Sequence, residues 1–346
     1  MNLRELSALL GLSQTTVSRA LNGYADVAAE TRQRVIAAAE RHGYRPNSGA
    51  RRLATGRAQA LGVAFPVDRN LLLDPHFIEF LAGVAEKAGD AGYDLTVSPT
   101  TGLESDVYRR FKRTQAADVV ILSGPEREDP RIAELQALGL PFVVHGRTRS
   151  AEPYAYADID NRGAFAQATR LLLDLGHRRI ALINGEEHLT FAHDRRCGWR
   201  EALAAAGCAA PDTATFSGAM TEENGYRFAR RLLEAARPPT ALLCSSVLLA
   251  FGAYRAIRDL GLTVGGDVSV IAHDDDLPFL RPHTLDPPLT VTRSPIRKGG
   301  ERVGEFAIRL ATGTPLAQLQ SVQPVDLVYR GSTAAPPQLS VVESEL

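Results

Sequence analysis

Leu12-Ser13-Gln14-Thr15-Thr16-Val17-Ser18-Arg19-Ala20-Leu21-Asn22-Gly23 decides how this chain is organised. Ser13 is a good helix N-cap, its hydroxyl placed to accept from an amide of the first turn. Val17, Ala20 and Leu21 recur at helical spacing as an apolar face, and Asn22-Gly23 is a strong stop. The opposite face carries Gln14, Thr15, Ser18 and Arg19, side chains that read base edges or hold phosphates, with no acid among them. Upstream, Asn2 is placed to cap a first helix whose apolar residues are Leu3, Leu6, Leu9 and Leu10, and Gly11-Leu12 turns that helix into the second. Two helices joined in this way make a helix-turn-helix. A third helix is predicted from about Ala29 to His42, with Val35, Ile36 and Ala39 inward and Gly43 as its stop. Ala28 stands where a Ser or Thr cap would contribute about 0.5–2 kcal/mol, and Glu30 offsets part of that through the helix dipole.

Charge divides the chain at the same place. Residues 1–57 hold nine arginines and four acids, a net +5, whereas the remainder holds 30 basic and 36 acidic residues, a net −6. A basic head on a mildly acidic body points to a polyanion partner for the head alone. At 346 residues, two or three domains are expected, and 45% hydrophobic content with both charge signs is that of a soluble globular chain. Met1 leads straight into Asn2 without a signal peptide, and no apolar run reaches spanning length, so a cytoplasmic protein without a membrane partner is expected. Cys197, Cys208 and Cys244 are odd in number and lack ligand spacing, which fits reduced, mostly buried thiols and no metal site.

Beyond the head, Pro46 ends one element and Asn47 is placed to cap the next. Ser48 to Thr55 is helical in pattern but only about two turns long, below the roughly 12–15 residues an isolated helix needs, so it requires a partner. Two roles fit Leu53: contact with the body, or a wedge between base steps in a minor groove. From Ala60 short apolar strands alternate with helical stretches. The strands are Leu61–Phe65, Leu95–Val97, Val119–Leu122, Phe142–Val144, Ala157–Ile159, Ile180–Ile183, Ala241–Cys244 and Val268–Ile271. Helical runs include Phe77–Ala91, Ala164–Leu175, Asp194–Ala206, Asn224–Ala236 and Leu248–Leu260. Repeated βα units predict an α/β body of parallel sheets, long enough for two lobes. Such sheets bind ligands beyond the carboxyl ends of their strands, where the chain places Asp68, Asp74 and His76, His145 and Arg147, Asp160-Asn161, Asn184 and Glu186, Ser245-Ser246 and His273-Asp274-Asp275-Asp276.

The head motif, together with Thr31-Arg32-x-x-Val35, Gly43-Tyr44-x-Pro46-Asn47 and Ala50-x-x-Leu53, closely resembles the LacI/GalR family of repressors. The resemblance runs on through Asp160-Asn161, Leu175-Gly176-His177-Arg178-Arg179-Ile180-Ala181, Arg195-x-x-Gly198-Trp199-x-x-Ala202-Leu203, Pro239-Thr240-Ala241, Asp267-Val268-Ser269-Val270-Ile271, Pro288-Leu289-Thr290 and Arg330-Gly331-Ser332-Thr333. It implies that Gln14, Thr15 and Arg19 read a major groove and that Asn2, Ser13, Thr16, Ser18 and Asn22 hold phosphates. Tyr44 and Asn47 join this DNA-contacting set, and Ala50 and Leu53 of two hinge helices enter the minor groove at the centre of a palindromic operator. It also implies a core like a periplasmic sugar-binding protein, with two lobes joined by three crossings near 158–160, 288–291 and 320–323. The domains expected are a DNA-binding head at 1–46, a hinge at 47–57, a core at 58–333 and a tail at 334–346. Within the core, one lobe takes about 58–158 and 291–320, and the other about 159–288 and 323–333.

Arg195 and Asp274 match effector positions of the family and suit a sugar's vicinal diol, the guanidinium donating as a planar fork and the carboxylate accepting from two hydroxyls. Asp74 and Phe77 follow the first strand, where the family has polar and aromatic contacts. Phe191 or Phe279 fits either stacking on a sugar face or anchoring a core or loop. Trp199 fits packing beside the pocket as well as contact, and Asp160 fits the pocket or a crossing. Where the family shows Asn-Asp after the strand Ala241–Cys244, this chain has Ser246-Val247, which makes the pocket roomier or water-mediated there. Ser246 joins the effector set, and the pattern around Ser245-Ser246 resembles α-glucoside operon regulators.

The function expected is a sugar-controlled repressor of carbohydrate uptake and utilisation genes, acting as a homodimer. The tail, short and opening with Pro336-Pro337, lacks the heptads that would build a larger assembly. A plain sugar receptor conflicts with residues 1–57. An α/β enzyme lacks any Gly-rich phosphate loop, metal cluster or Ser/His/Asp elbow, so no catalytic residue, cofactor or metal is expected.

Overall fold

A computed structural model gives the fold; it describes residues 1–21, 23–44, 57–67, 74–274 and 276–337. The head has α1 (Leu3–Leu10), α2 (Gln14–Leu21) and α3 (Ala29–Arg41) around a small core of Leu6, Val17, Ala20, Val27, Val35 and Ala39. Ile36, read as inward, faces out at 40% exposed, as does the apolar Leu9 of α1 at 55%. Three short helices close on one another through one residue or two per turn, so the second apolar residue of a neighbouring pair is left at the rim.

The body holds two six-stranded sheets. The first uses β1 (Ala60–Pro66), β2 (Asp94–Thr100), β3 (Val119–Ser123), β4 (Phe142–His145), β5 (Ala155–Ile159) and, from far downstream, β11 (Gln320–Gln323), in the order β11-β5-β4-β3-β1-β2 and parallel throughout. The second uses β6 (Ile180–Asn184), β7 (Thr215–Ser217), β8 (Ala241–Cys244), β9 (Ser269–Asp274), β10 (Thr290–Arg293) and β12 (Asp326–Val328), in the order β12-β10-β9-β8-β6-β7, with only the β10–β12 pair antiparallel.

Strict alternation explains why both faces are covered. Leu61, Val63, Phe65, Val119, Ile121 and Val143 enter the core under α4 (Pro75–Asp90) and α11 (Ile296–Ala311). Their neighbours Val120, Leu122, Phe142 and Val144 enter the opposite core under α5 (Glu104–Thr114) and α6 (Pro130–Leu138). In the second sheet, Ile180, Leu182, Ala241, Leu243 and Ile271 pack on α7 (Asn161–Asp174) and α8 (Thr190–Ala205), and Ala181, Ile183, Leu242, Cys244 and Val270 on α9 (Glu222–Leu233) and α10 (Val247–Asp259). Buried Cys244 keeps its proton, its thiol pushed up to about 12 by burial. Paired helices touch backbone to backbone: a Cβ added to Gly198 of α8 would lie 2.0 Å from the Arg162 carbonyl oxygen of α7, and one added to Gly300 of α11 would lie 2.1 Å from that of Phe80 in α4.

The chain passes between the sheets three times: between Ile159 and Asn161, between Arg293 and Ile296, and between Gln323 and Asp326. The last two crossings lie further along than 288–291 and 320–323. Thr290–Arg293 stays in register with Ile271–Asp274 of the second sheet, and Gln320–Gln323 with Tyr156–Ile159 of the first. The start of the tail is held to the second lobe, where the Ala334 carbonyl oxygen accepts from His177 Nε2 at 2.9 Å.

Candidate functional site

The first candidate surface is the outer face of α2. Ser13 caps it, its Oγ accepting from the Thr16 amide at 3.0 Å and lying 2.8 Å from Thr16 Oγ1. Asn2 caps α1 in a reciprocal box with Glu5, each side chain accepting from the other's amide at 3.0 Å. Gln14, Thr15 and Arg19 are exposed, and Ser18 and Thr16 are half-buried beside them. Arg19 Nη2 lies 2.6 Å from Asp26 Oδ2, and its guanidinium sits 5.1 Å from the Tyr24 ring centroid. Tyr44 packs against the head core, and burial raises its phenol pKa. Asn22, Asn47, Ala50 and Leu53 lie outside the described residues.

The second candidate lies where the two sheets present their strand ends. Arg195 of α8 is buried. Its Nε donates to Asn161 Oδ1 at 2.8 Å and its Nη1 to the Ser245 carbonyl at 2.6 Å, and its guanidinium lies 5.2 Å from the Phe165 ring centroid and 4.9 Å from that of Phe191. Ser245 Oγ in turn donates to Asn184 Oδ1 at 2.5 Å. On the other side Asn161 approaches Asp158 at 3.4 Å, and Asp158 takes Arg147 Nε at 2.7 Å. Burial pushes the Asp158 carboxyl up, and Arg147 opposes that shift. A run of polar contacts thus passes from Arg147 and Asp158 of the first lobe to Arg195, Ser245 and Asn184 of the second. Asp274 is buried at the end of β9 and accepts from the Asp276 amide at 2.8 Å. Because Cys244 and Ala272 are in register, Ser245-Ser246 and the last residues of β9, His273-Asp274, lie at the same end of the sheet. Nearby, the lobes meet through Thr190, whose amide donates to the Pro125 carbonyl at 2.9 Å.

Several candidates have other duties. Asp74 caps α4, accepting from the His76 amide at 2.9 Å. Asp160 caps α7, accepting from the Gly163 amide at 2.8 Å, and donates its own amide to Gln323 at the neighbouring crossing, also at 2.8 Å. Ser246 is buried and caps α10 through the Leu249 amide at 3.3 Å, with Val247 buried behind it. Phe77 is a core residue, its ring 6.0 Å from that of Phe65, because it shares the inward stripe of Phe80, Leu81 and Val84. Trp199 is fully buried in the second lobe, whereas Phe279 is 95% exposed. Sequence reading missed Asp158 altogether; its signal was a lone acid at an inward strand end, two residues before the Asp160 that drew attention.

Comparison with known proteins gives the same two parts. A model described as bacterial regulatory proteins, lacI family, matches residues 2–47, and one described as a periplasmic binding protein-like domain matches residues 169–333. The HTH-type transcriptional regulator AglR of Rhizobium meliloti (strain 1021) is 47% identical over 342 residues, covering 98% of this chain and 96% of that protein. The lac repressor dimer bound to operator and the anti-inducer ONPF superposes with a TM-score of 0.81 at 27% identity, covering 97% of this chain and 99% of that one. A complex of the transcriptional regulator CelR with cellobiose superposes with a TM-score of 0.71 at 30% identity, covering 96% and 99%.

Proposed function

The chain belongs to the lacI family of bacterial regulatory proteins and is a DNA-binding transcriptional regulator, and from that premise we propose that it is a cytoplasmic repressor of carbohydrate uptake and utilisation genes whose grip on a palindromic operator is set by a sugar in the interlobe cleft. The observation that carries the cleft is the run of polar contacts joining Arg147 and Asp158 to Arg195, Ser245 and Asn184 across a lobe crossing. Arg195 and Asp274 take the sugar hydroxyls in this reading, Phe191 offers the stacking face beside them, and Asp74, Asp160 and Ser246 serve the cleft by capping the helices that start at its border. An α-glucoside is the class we put first, on the Ser245-Ser246 pattern; the cellobiose bound by a solved relative supports a glucose disaccharide but carries the β linkage. A ligand spanning both lobes changes the contacts at Thr190 and Pro125, and so the spacing at which two heads meet DNA.

On the head, Gln14, Thr15 and Arg19 are the base readers in this reading, with Asn2, Ser13, Thr16 and Ser18 on phosphates. Tyr44 supports them from the head core. Asn22, Asn47, Ala50 and Leu53 complete the contact set. Counterion release makes the affinity salt-sensitive. Two heads require two copies. A groove of about 710 Å³ along α10, lined by Leu248, Phe251, Arg255 and Leu280, lies beside exposed Phe279 and offers the second copy an apolar seat.

A thermal-shift panel of mono- and disaccharides, followed by operator binding with each sugar that shifts the melting point, tests the proposal. Maltose, sucrose or trehalose is expected to raise the melting point and to change operator affinity. A shift from another sugar class alone removes the α-glucoside assignment. Operator affinity that no sugar alters removes sugar control itself.

A further inference from the structure

The turn after the recognition helix holds an acid against its only arginine. Arg19 Nη2 and Asp26 Oδ2 lie 2.6 Å apart, both about half exposed, and the Tyr24 ring flanks the guanidinium at 5.1 Å. This turn is itself built. The Tyr24 amide donates to the Arg19 carbonyl at 3.1 Å, and Gly23 supplies the left-handed turn at φ 75. From α3, Arg32 Nη2 reaches the Tyr24 carbonyl at 2.6 Å and the Val27 carbonyl at 3.4 Å. Asp26 and Tyr24 therefore stand at fixed places relative to α2.

We propose that Asp26, with Tyr24, positions Arg19 for base reading and sets how sharply this protein discriminates among operators. The proposal rests on the base-reading role given to Arg19 above. An exposed ion pair adds little to stability, and a carboxylate on a DNA-facing turn repels phosphates, so neither affinity nor folding accounts for Asp26. Orientation does. A free arginine side chain samples many rotamers and forms a phosphate contact from most of them. With one corner held by Asp26 and one face against Tyr24, the guanidinium presents its remaining donors in a single plane, as a bidentate contact to a guanine edge requires. Asp26 thus weakens binding to arbitrary DNA while strengthening the difference between right and wrong bases.

The test uses the full-length protein. A duplex is selected from a randomised double-stranded pool, and affinities for that duplex, its single-base variants and unselected DNA are measured for wild type, Arg19→Ala, Asp26→Asn, Asp26→Glu and Arg19→Ala/Asp26→Asn. Asp26→Asn is expected to cut discrimination at the base pairs that depend on Arg19 by roughly 10-fold and to tighten binding to unselected DNA. Asp26→Glu should restore part of the discrimination, and in the Arg19→Ala background Asp26→Asn should alter no ratio. If Asp26→Asn shifts every duplex by one common factor while Arg19→Ala flattens the ratios, Arg19 reads bases but Asp26 does not position it, and the inference is overturned. If Arg19→Ala leaves every ratio intact, the base-reading role falls and this inference falls with it.

Discussion

The head and the second lobe each hold an arginine against an aromatic ring, and they hold it in opposite ways. Arg195 is 4% exposed, its Nε and Nη1 are committed to Asn161 and Ser245, and two rings enclose it. Arg19 keeps nearly half its side chain in solvent and leans on one carboxylate and one ring. A buried guanidinium is part of the fold, and a ligand reaching it meets a pre-set donor array. An exposed one sheds only water when DNA arrives, so it meets a base edge while Asp26 still holds one corner. The site in the lobe is enclosed by the fold; the surface on the head is oriented from one side and open on the other.

That contrast is open to breakage, beginning with the largest effect. Trp199→Ala removes a fully buried ring from the core of the second lobe and should lower stability by about 4 kcal/mol. Urea unfolding followed by circular dichroism reads this, with the head helices retained. Arg195→Ala should lower it by about 3 kcal/mol, abolish any sugar-induced thermal shift and leave operator binding intact; loss of both responses would make Arg195 purely structural. Ser13→Ala removes the α2 cap and should weaken the head by about 1 kcal/mol, seen as reduced operator affinity with an unchanged sugar response. The smallest effect is a pH dependence confined to the lobe. Burial holds His177 below the ordinary histidine range, although its bond to Ala334 opposes this. The native state is therefore unprotonated where the unfolded chain takes up a proton, and stability should fall as pH drops through about 6.5. His177→Gln should flatten that slope in urea melts at pH 7 and 5.

Much of this was legible in the sequence. Short continuous apolar runs located the central strands, because these are buried on both faces, and Ser13, Gly11 and Gly43 marked the head's helix ends by cap chemistry alone. His177, quoted in the sequence only as part of the Leu175-to-Ala181 motif, is a structural hydrogen-bonding group, with Thr240 at 2.8 Å and Ala334 as partners. Less legible was α5, where only Val107, Tyr108 and Phe111 interrupt a highly charged run. The site was the hardest part. Asp74, Asp160 and Ser246 each stand where a strand gives way to a helix, and a helix N-terminus demands an oxygen there whether or not a ligand exists. A capping residue and a ligand residue have the same signature at that junction. Arg195 escapes the ambiguity, since nothing in helix formation calls for a buried arginine at its sixth position.

The crossings have a mechanical consequence. Two bodies joined at a single point swivel about every axis. Here the lobes are joined three times, and the crossings after β5 and β11 lie side by side, bound by the Asp160 amide and the Gln323 carbonyl. Such a joint resists twisting and sliding, and leaves bending as its soft coordinate. Helices seated backbone to backbone at Gly198 and Gly300 keep each lobe from absorbing that bend internally. Work done at the strand ends is therefore delivered at the far edge of the first lobe as angular displacement, with the distance from the joint acting as a lever arm.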